Sequence, residues 1–580
     1  MWARRQRKGS PAELPVEVRS GDRQSRVSIP LTKAPFKLGT ASSPPQLARH
    51  GLPIHQRLCQ TSHSMHGHVS LPVPKNQVTL PSQDWRYPSF LLSIVLLCEA
   101  LFLATEKRIA GQWGFSLDDS WIHATIARNL ASGYGYSFNR GEWVAGSTAP
   151  LFTVLLAVVY RILGDIVWSA KVLGIIFQCA TAVIVLRSMQ VLNPTRRDLT
   201  LAAGFIVGIS PLLLWASLSG MEVSLYLIFA ALGFYYYLRG RPFAATLVWA
   251  LGIWVRPDGV FLAALGVFSS HRKIPQRTVV VLSIIAAYVA FNYLVGHELL
   301  PRSVGAKASF SLALAPRLTR VIREWVGIWG FQPSPIGVLT SLFAVLLLAV
   351  GGAATIRRAP LLSLYCFGFP VVWSLFAGST GIRSRYILYV IPPGALLMTS
   401  GVSALIGHLA PSVRRLELAI LAGGVLIWET LGVLPMAEAH AWNVQNINGM
   451  QRQLGEMAKR MTRPGDALAV NDVGAIGYFS DRYIVDLMGL ISPLRSLPED
   501  LSLYKPRLLI IFPNWFRTYT VYDSLHNSVY YLDSDSTHKY SALFLVELEH
   551  NTVASRRQMC VYVRQRRDDP PPQHTWKYRR

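Results

Sequence analysis

Long apolar runs, separated by short polar or basic stretches, recur along most of this 580-residue chain. A helix that crosses the hydrocarbon core of a bilayer needs about 20 predominantly apolar residues. Pro88 to Ala104 and Pro335 to Ile356 are runs of that kind. Twelve apolar segments can be drawn, at about 88–105, 149–163, 167–187, 199–217, 222–238, 243–254, 259–269, 278–296, 335–356, 360–378, 386–407 and 416–434. Only 15% of residues are charged, against about 25% in soluble domains. A wholly soluble globular protein is excluded. The expected fold is a polytopic α-helical membrane domain followed by a C-terminal soluble α/β or α+β domain.

Net charge is +25, which invites a nucleic-acid reading. The basic residues, however, sit in short clusters between apolar runs: Arg196–Arg197, Arg239–Arg241, Arg272–Lys273, Arg357–Arg358 and Arg414–Arg415. That is the pattern of cytoplasmic loops that orient membrane helices. No base-reading motif accompanies the charge, so no nucleic-acid partner is expected. The five cysteines show no metal-ligand or disulfide spacing.

Residues 1–86 are basic, rich in Pro, Ser and Gln, and lack a sustained apolar period. They read as a disordered cytoplasmic tail. No cleavable leader is expected, the first apolar run staying as an anchor, and Met65 offers an alternative start nearer to it. The transmembrane domain is expected over 87–438, with external loops at 106–148 and 297–334. The external soluble domain is expected over 439–580. Placing the basic clusters inside requires an odd number of crossings, hence about eleven. The expected location is a cell inner (cytoplasmic) membrane, with the active site on its external face.

The first loop carries the adjacent acids Asp118 and Asp119, followed by His123, Arg128 and Glu142. Neighbouring carboxylates repel, so one has a raised pKa or the pair shares a cation. Either state suits a general base or a metal-assisted group. The plainer reading is a helix start, with Asp118 as N-cap and Asp119 in the first turn. The two readings are compatible, because a helix start holds a carboxylate rigidly. His123 follows Asp119 by four and shares its helical face; a lone histidine there is more often structural. Gly146 and Pro150 punctuate the entry to the next helix.

Several short segments then occur in order: Asp118-Asp119, Ala127-Arg128-Asn129-Leu130, Gly141-Glu142, Gly146-Ser147-Thr148, Ser219-Gly220-Met221-Glu222, Arg256-Pro257-Asp258-Gly259, Leu299-Leu300-Pro301 with Ala306-Lys307, Arg385-Tyr386, and Asp472 to Phe479 with Asp486 to Leu490. The series resembles the GT-C membrane glycosyltransferases, nearest the bacterial branch that includes terminal arabinofuranosyltransferases of cell walls. It departs at Arg302-Ser303, where Asn-Thr is frequent in that branch.

The resemblance implies an inverting glycosyltransferase of the cell envelope. It would move a sugar from a polyprenyl-phosphate carrier to a glycan or glycolipid acceptor outside the membrane. By resemblance Asp118 is the base, and Asp119 orients it or helps hold a divalent cation, although no cofactor is firmly implied. A lipid phosphate needs cationic partners at the membrane interface, and Arg256, Lys307, Arg383 and Arg385 fall on the external side, with Glu142, Glu222, Asp258 and His123 as further substrate-binding candidates. Arg256 interrupts an apolar stretch, where an ionisable group is costly and usually functional; pairing with Asp258 is its bland alternative. Glu222 could simply favour a helix N-terminus. Gly474 to Gly477 is too short for a dinucleotide fingerprint and is expected to be a tight turn. The rivals are a transporter or flippase of a lipid-linked sugar, which would show internal repeats, and a non-catalytic glycan-binding membrane protein, which would not need the acid pair.

Overall fold

The computed structural model describes residues 85–302, 313–330, 335–377, 379–406, 423, 431–516, 519–522, 530–532, 540–564 and 576–578. The expected N-terminal tail up to residue 84, Lys307, and all but a few residues of the 416–434 segment lie outside the described residues.

The other eleven apolar segments are helical. In chain order the helices are α1 (Arg86–Ala110), α2 (Asp118–Ala131), α3 (Pro150–Leu163), α4 (Ile166–Leu192), α5 (Arg197–Gly208), α6 (Pro211–Leu218), α7 (Val223–Leu238), α8 (Pro242–Leu251), α9 (Val260–Val267) and α10 (Ile274–Gly296). They continue as α11 (Leu314–Gly327), α12 (Pro335–Thr355), α13 (Pro360–Phe376), α14 (Ile391–Ile406) and α15 (431–447). Proline opens α3, α6, α8 and α13, where its missing N–H costs nothing.

Among the described residues, five helices are long and apolar enough to cross a membrane, and α5 with α6 makes a sixth if that pair, bent by 48°, is one span. Large apolar side chains point outward, among them Leu97, Ile162, Leu282 and Leu339. In water that surface would be costly; in lipid it is the required one. The chain is a multi-pass membrane protein.

One buried group of charges links three helices of the bundle. Lys171 of α4 lies 2.7 Å from Glu106 of α1, and His440 of α15 reaches the same carboxylate at 2.9 Å. All three are fully buried. This triad ties α15, the helix that leads to the C-terminal domain, to the start of the bundle.

Beyond α15 a π-helical turn, Asn448–Arg452, runs into α16 (Gln453–Met461). The strands follow: β1 (Ala467–Val470), β2 (Tyr483–Asp486), β3 (Leu508–Ile511), β4 (Thr520–Tyr522), β5 (Tyr530–Leu532), β6 (Tyr540–Glu547), β7 (Gln558–Arg564) and β8 (Trp576–Tyr578). The main sheet has the order β2-β1-β3-β7-β6-β8. Its first three strands are parallel, β3-β7 and β7-β6 are antiparallel, and β6-β8 is parallel. The crossovers carry α17 (Gly474–Ser480) and α18 (Leu497–Tyr504). The expected turn at Gly474 to Gly477 is therefore the start of a helix. Glycine suggested a turn, but Ala475 and Ile476 are fully buried, and packing overrides propensity.

One face of the sheet packs on the first loop. Leu468, Val470, Ile484, Leu508 and Ile510 share a core with Ile122 and Ile126 of α2 and with Tyr136, Phe138 and Val144. The other face is covered by Leu497 and Leu501 of α18. The first loop and the C-terminal domain thus bury apolar surface together.

Candidate active site

The site is assembled at the start of α2. Leu117 is extended and is the N-cap, so the helix begins one residue earlier than expected and Asp118 is its first residue instead of its cap. Both Asp118 oxygens accept backbone hydrogen bonds from the start of α17, from Gly474 N–H and Ala475 N–H, each at 2.8 Å. Gly474 allows this approach, since a Cβ there would collide with the Asp118 carbonyl oxygen.

Two aromatic stacks hold the same junction. Trp121 sits 4.9 Å from Tyr478 and 4.7 Å from Phe479. The Arg128 guanidinium lies 4.3 Å over the Tyr478 ring and donates to the Tyr478 carbonyl at 2.9 Å. Asn139 exchanges two hydrogen bonds with the backbone of Ile484, at 3.0 and 2.9 Å, and so extends the edge of β2.

Burial raises the Asp118 carboxyl well above its ordinary range. The neighbouring Asp472 charge adds to this, and the two backbone N–H donors oppose it. Asp472 lies just beyond β1, where Gln451 donates to it at 2.8 Å. Burial pushes it up to about 6, with Asp119 contributing. Three acids from two parts of the chain therefore share one electrostatic environment.

Asp119 faces the other way, and Arg385 donates to it. Arg385 also donates to the Tyr386 hydroxyl at 2.8 Å, while its Nε and Nη1 are buried without a partner. Unused guanidinium donors in a buried position are costly and invite an anion. Arg256 follows: its guanidinium carbon lies 4.9 Å from the Tyr386 ring and 5.3 Å from the Tyr389 ring. It pairs with Glu222 at 2.5 Å and with Asp258 at 2.9 Å. Arg256 is extended between α8 and α9, as the residue before Pro257 must be. Glu222 is carried in by the turn at Gly220, whose φ of +77° and close approach to Phe115 both require glycine.

His123 ends the chain of contacts. Its Nε2 lies 3.4 Å from Glu222 and its Nδ1 is 2.9 Å from Ser147 Oγ. It is buried, and its ring stands edge-on to Phe152. Its contacts are those of a positioning group.

Asp118, Asp119, His123, Glu222, Arg256, Asp258 and Arg385, separated by up to 267 positions in sequence, form one connected polar array. Glu142 is not part of it: this exposed side chain accepts from Tyr483 Oη at 3.0 Å. Lys307 lies outside the described residues. Sequence reasoning gave no role to Asp472, Tyr386 or Tyr389. An acid two places after a buried strand, and tyrosines one and four places after a membrane arginine, were the available signals. Among the described residues, no three His, Cys, Asp or Glu side chains gather as ligands for a metal ion. The charge of Asp119 is matched by a guanidinium instead.

Residues 442–562 match a family described as a domain of unknown function (DUF8728). No curated protein matches the chain. Among solved structures it is similar to ArnT from Cupriavidus metallidurans bound to undecaprenyl phosphate, at 13% identity and a TM-score of 0.46, covering 83% of this chain and 99% of that one. The apo state of the same protein is similar at 13% identity and a TM-score of 0.47, covering 81% and 97%.

Proposed function

We propose that this protein is an inverting glycosyltransferase that takes a sugar from a polyprenyl-phosphate carrier at the external face of the membrane. The observation that carries this reading is the pairing of a carboxylate cluster with a buried arginine that has donors to spare. In the proposed step Asp118 removes the proton from an acceptor hydroxyl. The hydroxyl oxygen attacks the anomeric carbon, the bond from that carbon to the phosphate oxygen breaks, and the carrier phosphate leaves with the electron pair. Attack opposite the leaving group inverts the centre. The raised proton affinity of Asp118 suits it to this role.

Arg385 is proposed to meet the phosphate through Nε and Nη1, as charge-assisted hydrogen bonds to a guanidinium are strong and directional. Asp119 and Tyr386 hold that guanidinium. Arg256 stands behind it, its charge balanced by Glu222 and Asp258, and keeps the tyrosines in place. Lys307 remains a candidate phosphate partner, and Glu142 a candidate contact for an acceptor arriving along the junction with the C-terminal domain. The series of motifs from Asp118 to Asp486 supports the same reading. The acceptor is proposed to be a glycan or glycolipid of the cell envelope.

The deciding experiment is Asp118→Asn in purified full-length protein, assayed with a panel of labelled polyprenyl-phosphate sugars. Transfer should fall by about 10²–10⁴-fold, the usual contribution of a general base, while donor binding persists. Full transfer by this variant would remove Asp118 from the chemistry.

A further inference from the structure

A second concave site lies in the C-terminal domain, apart from the acid-arginine array. It is a groove of about 580 Å³ between the π turn with α16 on one side and the end of β6 on the other. Ligand pockets commonly span about 300–1,000 Å³. Trp442 and His550 stand at one end, edge to face, with ring centroids 5.5 Å apart. Gln445, Gln453 and Glu456 line the helical wall.

The chemistry of this lining selects among ligands. Its charged side chains are Glu456, Glu547, Glu549 and Arg460; Arg452 and Arg557, just outside the lining, pair with Glu456 and Glu547, so no surplus of positive charge is left to hold an anion. A lipid phosphate therefore belongs at Arg385, not here. Leu454, Met457, Val546 and Leu548 add apolar surface between these polar groups, a mixed lining and not the continuous apolar channel an acyl chain fills. A half-buried indole beside carboxamides and carboxylates suits a neutral sugar, whose C–H face packs on an aromatic ring while its hydroxyls meet planar polar groups.

The helical wall is shared with the candidate active site. Gln451, on the π turn, bonds to Asp472 at 2.8 Å. Arg452 lies 4.7 Å over the Phe479 ring and pairs with the groove residue Glu456 at 2.9 Å. Phe479 packs on Trp121 of α2. The groove and the acids thus occupy two sides of one helical segment, and π turns of this kind recur at functional sites.

We infer that the Trp442–His550 groove binds neutral glycan, and that it holds a distal part of the acceptor while a terminal hydroxyl is presented to the acid cluster. The second half of that statement rests on the transferase reading; the first does not.

The test uses full-length protein in detergent, titrated calorimetrically with maltotetraose, cellotetraose and α-1,5-linked arabinotetraose. At least one should bind. Trp442→Ala and Gln453→Ala should each weaken that binding by tenfold or more, whereas Trp442→Phe, which keeps an aromatic face, should largely preserve it. In a transfer assay Trp442→Ala should raise the acceptor KM with kcat and donor KM little changed. Absence of binding by all three saccharides, or binding indifferent to Trp442→Ala and Gln453→Ala, would overturn the groove assignment. Saccharide binding that depends on Trp442 in a protein whose Asp118→Asn variant transfers normally would sink the proposed mechanism and leave the groove standing.

Discussion

Asp118 and Gly474 stand 356 positions apart in sequence, yet the Gly474 N–H donates to the Asp118 carboxylate at 2.8 Å. The proposed base is thereby held by the C-terminal domain, so that domain is part of the site and not an appendage to it.

Gly474→Ala tests this directly. The added methyl would lie on the Asp118 carbonyl oxygen and against Oδ2, so one of the two must move. Overpacking of this kind costs about 1–3 kcal/mol, which a membrane protein of this size should survive. Transfer activity should fall at least tenfold in a protein that still purifies as a single species. Gly465→Ala, which meets open space, serves as the control. Equal activity in the two variants would show that the contact does not position Asp118.

The acid cluster also sets a pH dependence. Asp472 titrates at about 6 in the folded protein, above its ordinary 3.8, and Asp118 is raised as well. Between 3.8 and 6 the folded state holds the Asp472 proton longer than the unfolded state, so stability falls as pH rises through that window. Activity should move oppositely, rising with pH as the cluster ionises. Asp472→Asn removes one charge next to Asp118, so the acidic limb of the pH–rate profile should shift to lower pH. An unmoved limb would separate Asp472 from the base.

Arg385→Lys keeps a positive charge but loses the planar fork. Hydrogen bonds to charged groups are worth about 1.5–3 kcal/mol each. The donor KM should therefore rise by roughly 10–100-fold, with a smaller effect on the acceptor KM. If measured donor affinity is unaltered, the phosphate is held elsewhere.

Glu106→Gln leaves Lys171 buried in the bundle without its counter-charge. Breaking such a pair costs about 3–5 kcal/mol. Thermal unfolding in detergent should move down by several degrees, and Lys171→Met in the same protein should recover much of the loss. A melting temperature equal to that of the parent protein would mean that the triad does not tie α15 to the bundle.

Much of the architecture is local and so was open to sequence reading. An apolar run long enough to cross lipid must be helical, since its backbone groups have no other partners there. The eleven drawn segments that lie within the described residues are accordingly helical. Candidate residues were legible for a similar reason: Arg256 stood out because a charge in an apolar stretch needs a cause. Their pairings were not legible. That Asp119 meets Arg385, that Glu222 lies between His123 and Arg256, and that Glu142 turns to Tyr483 all follow from how distant segments fold back on one another. Gly474 shows the limit most plainly. As a glycine in a short run it read as a turn, and only burial of Ala475 and Ile476 against the rest of the chain makes it the start of a helix whose N–H groups hold Asp118. Spacing along a chain determines which residues can share a face of one element; which elements come together is decided by the apolar surfaces they bury, and that information is spread over the whole molecule.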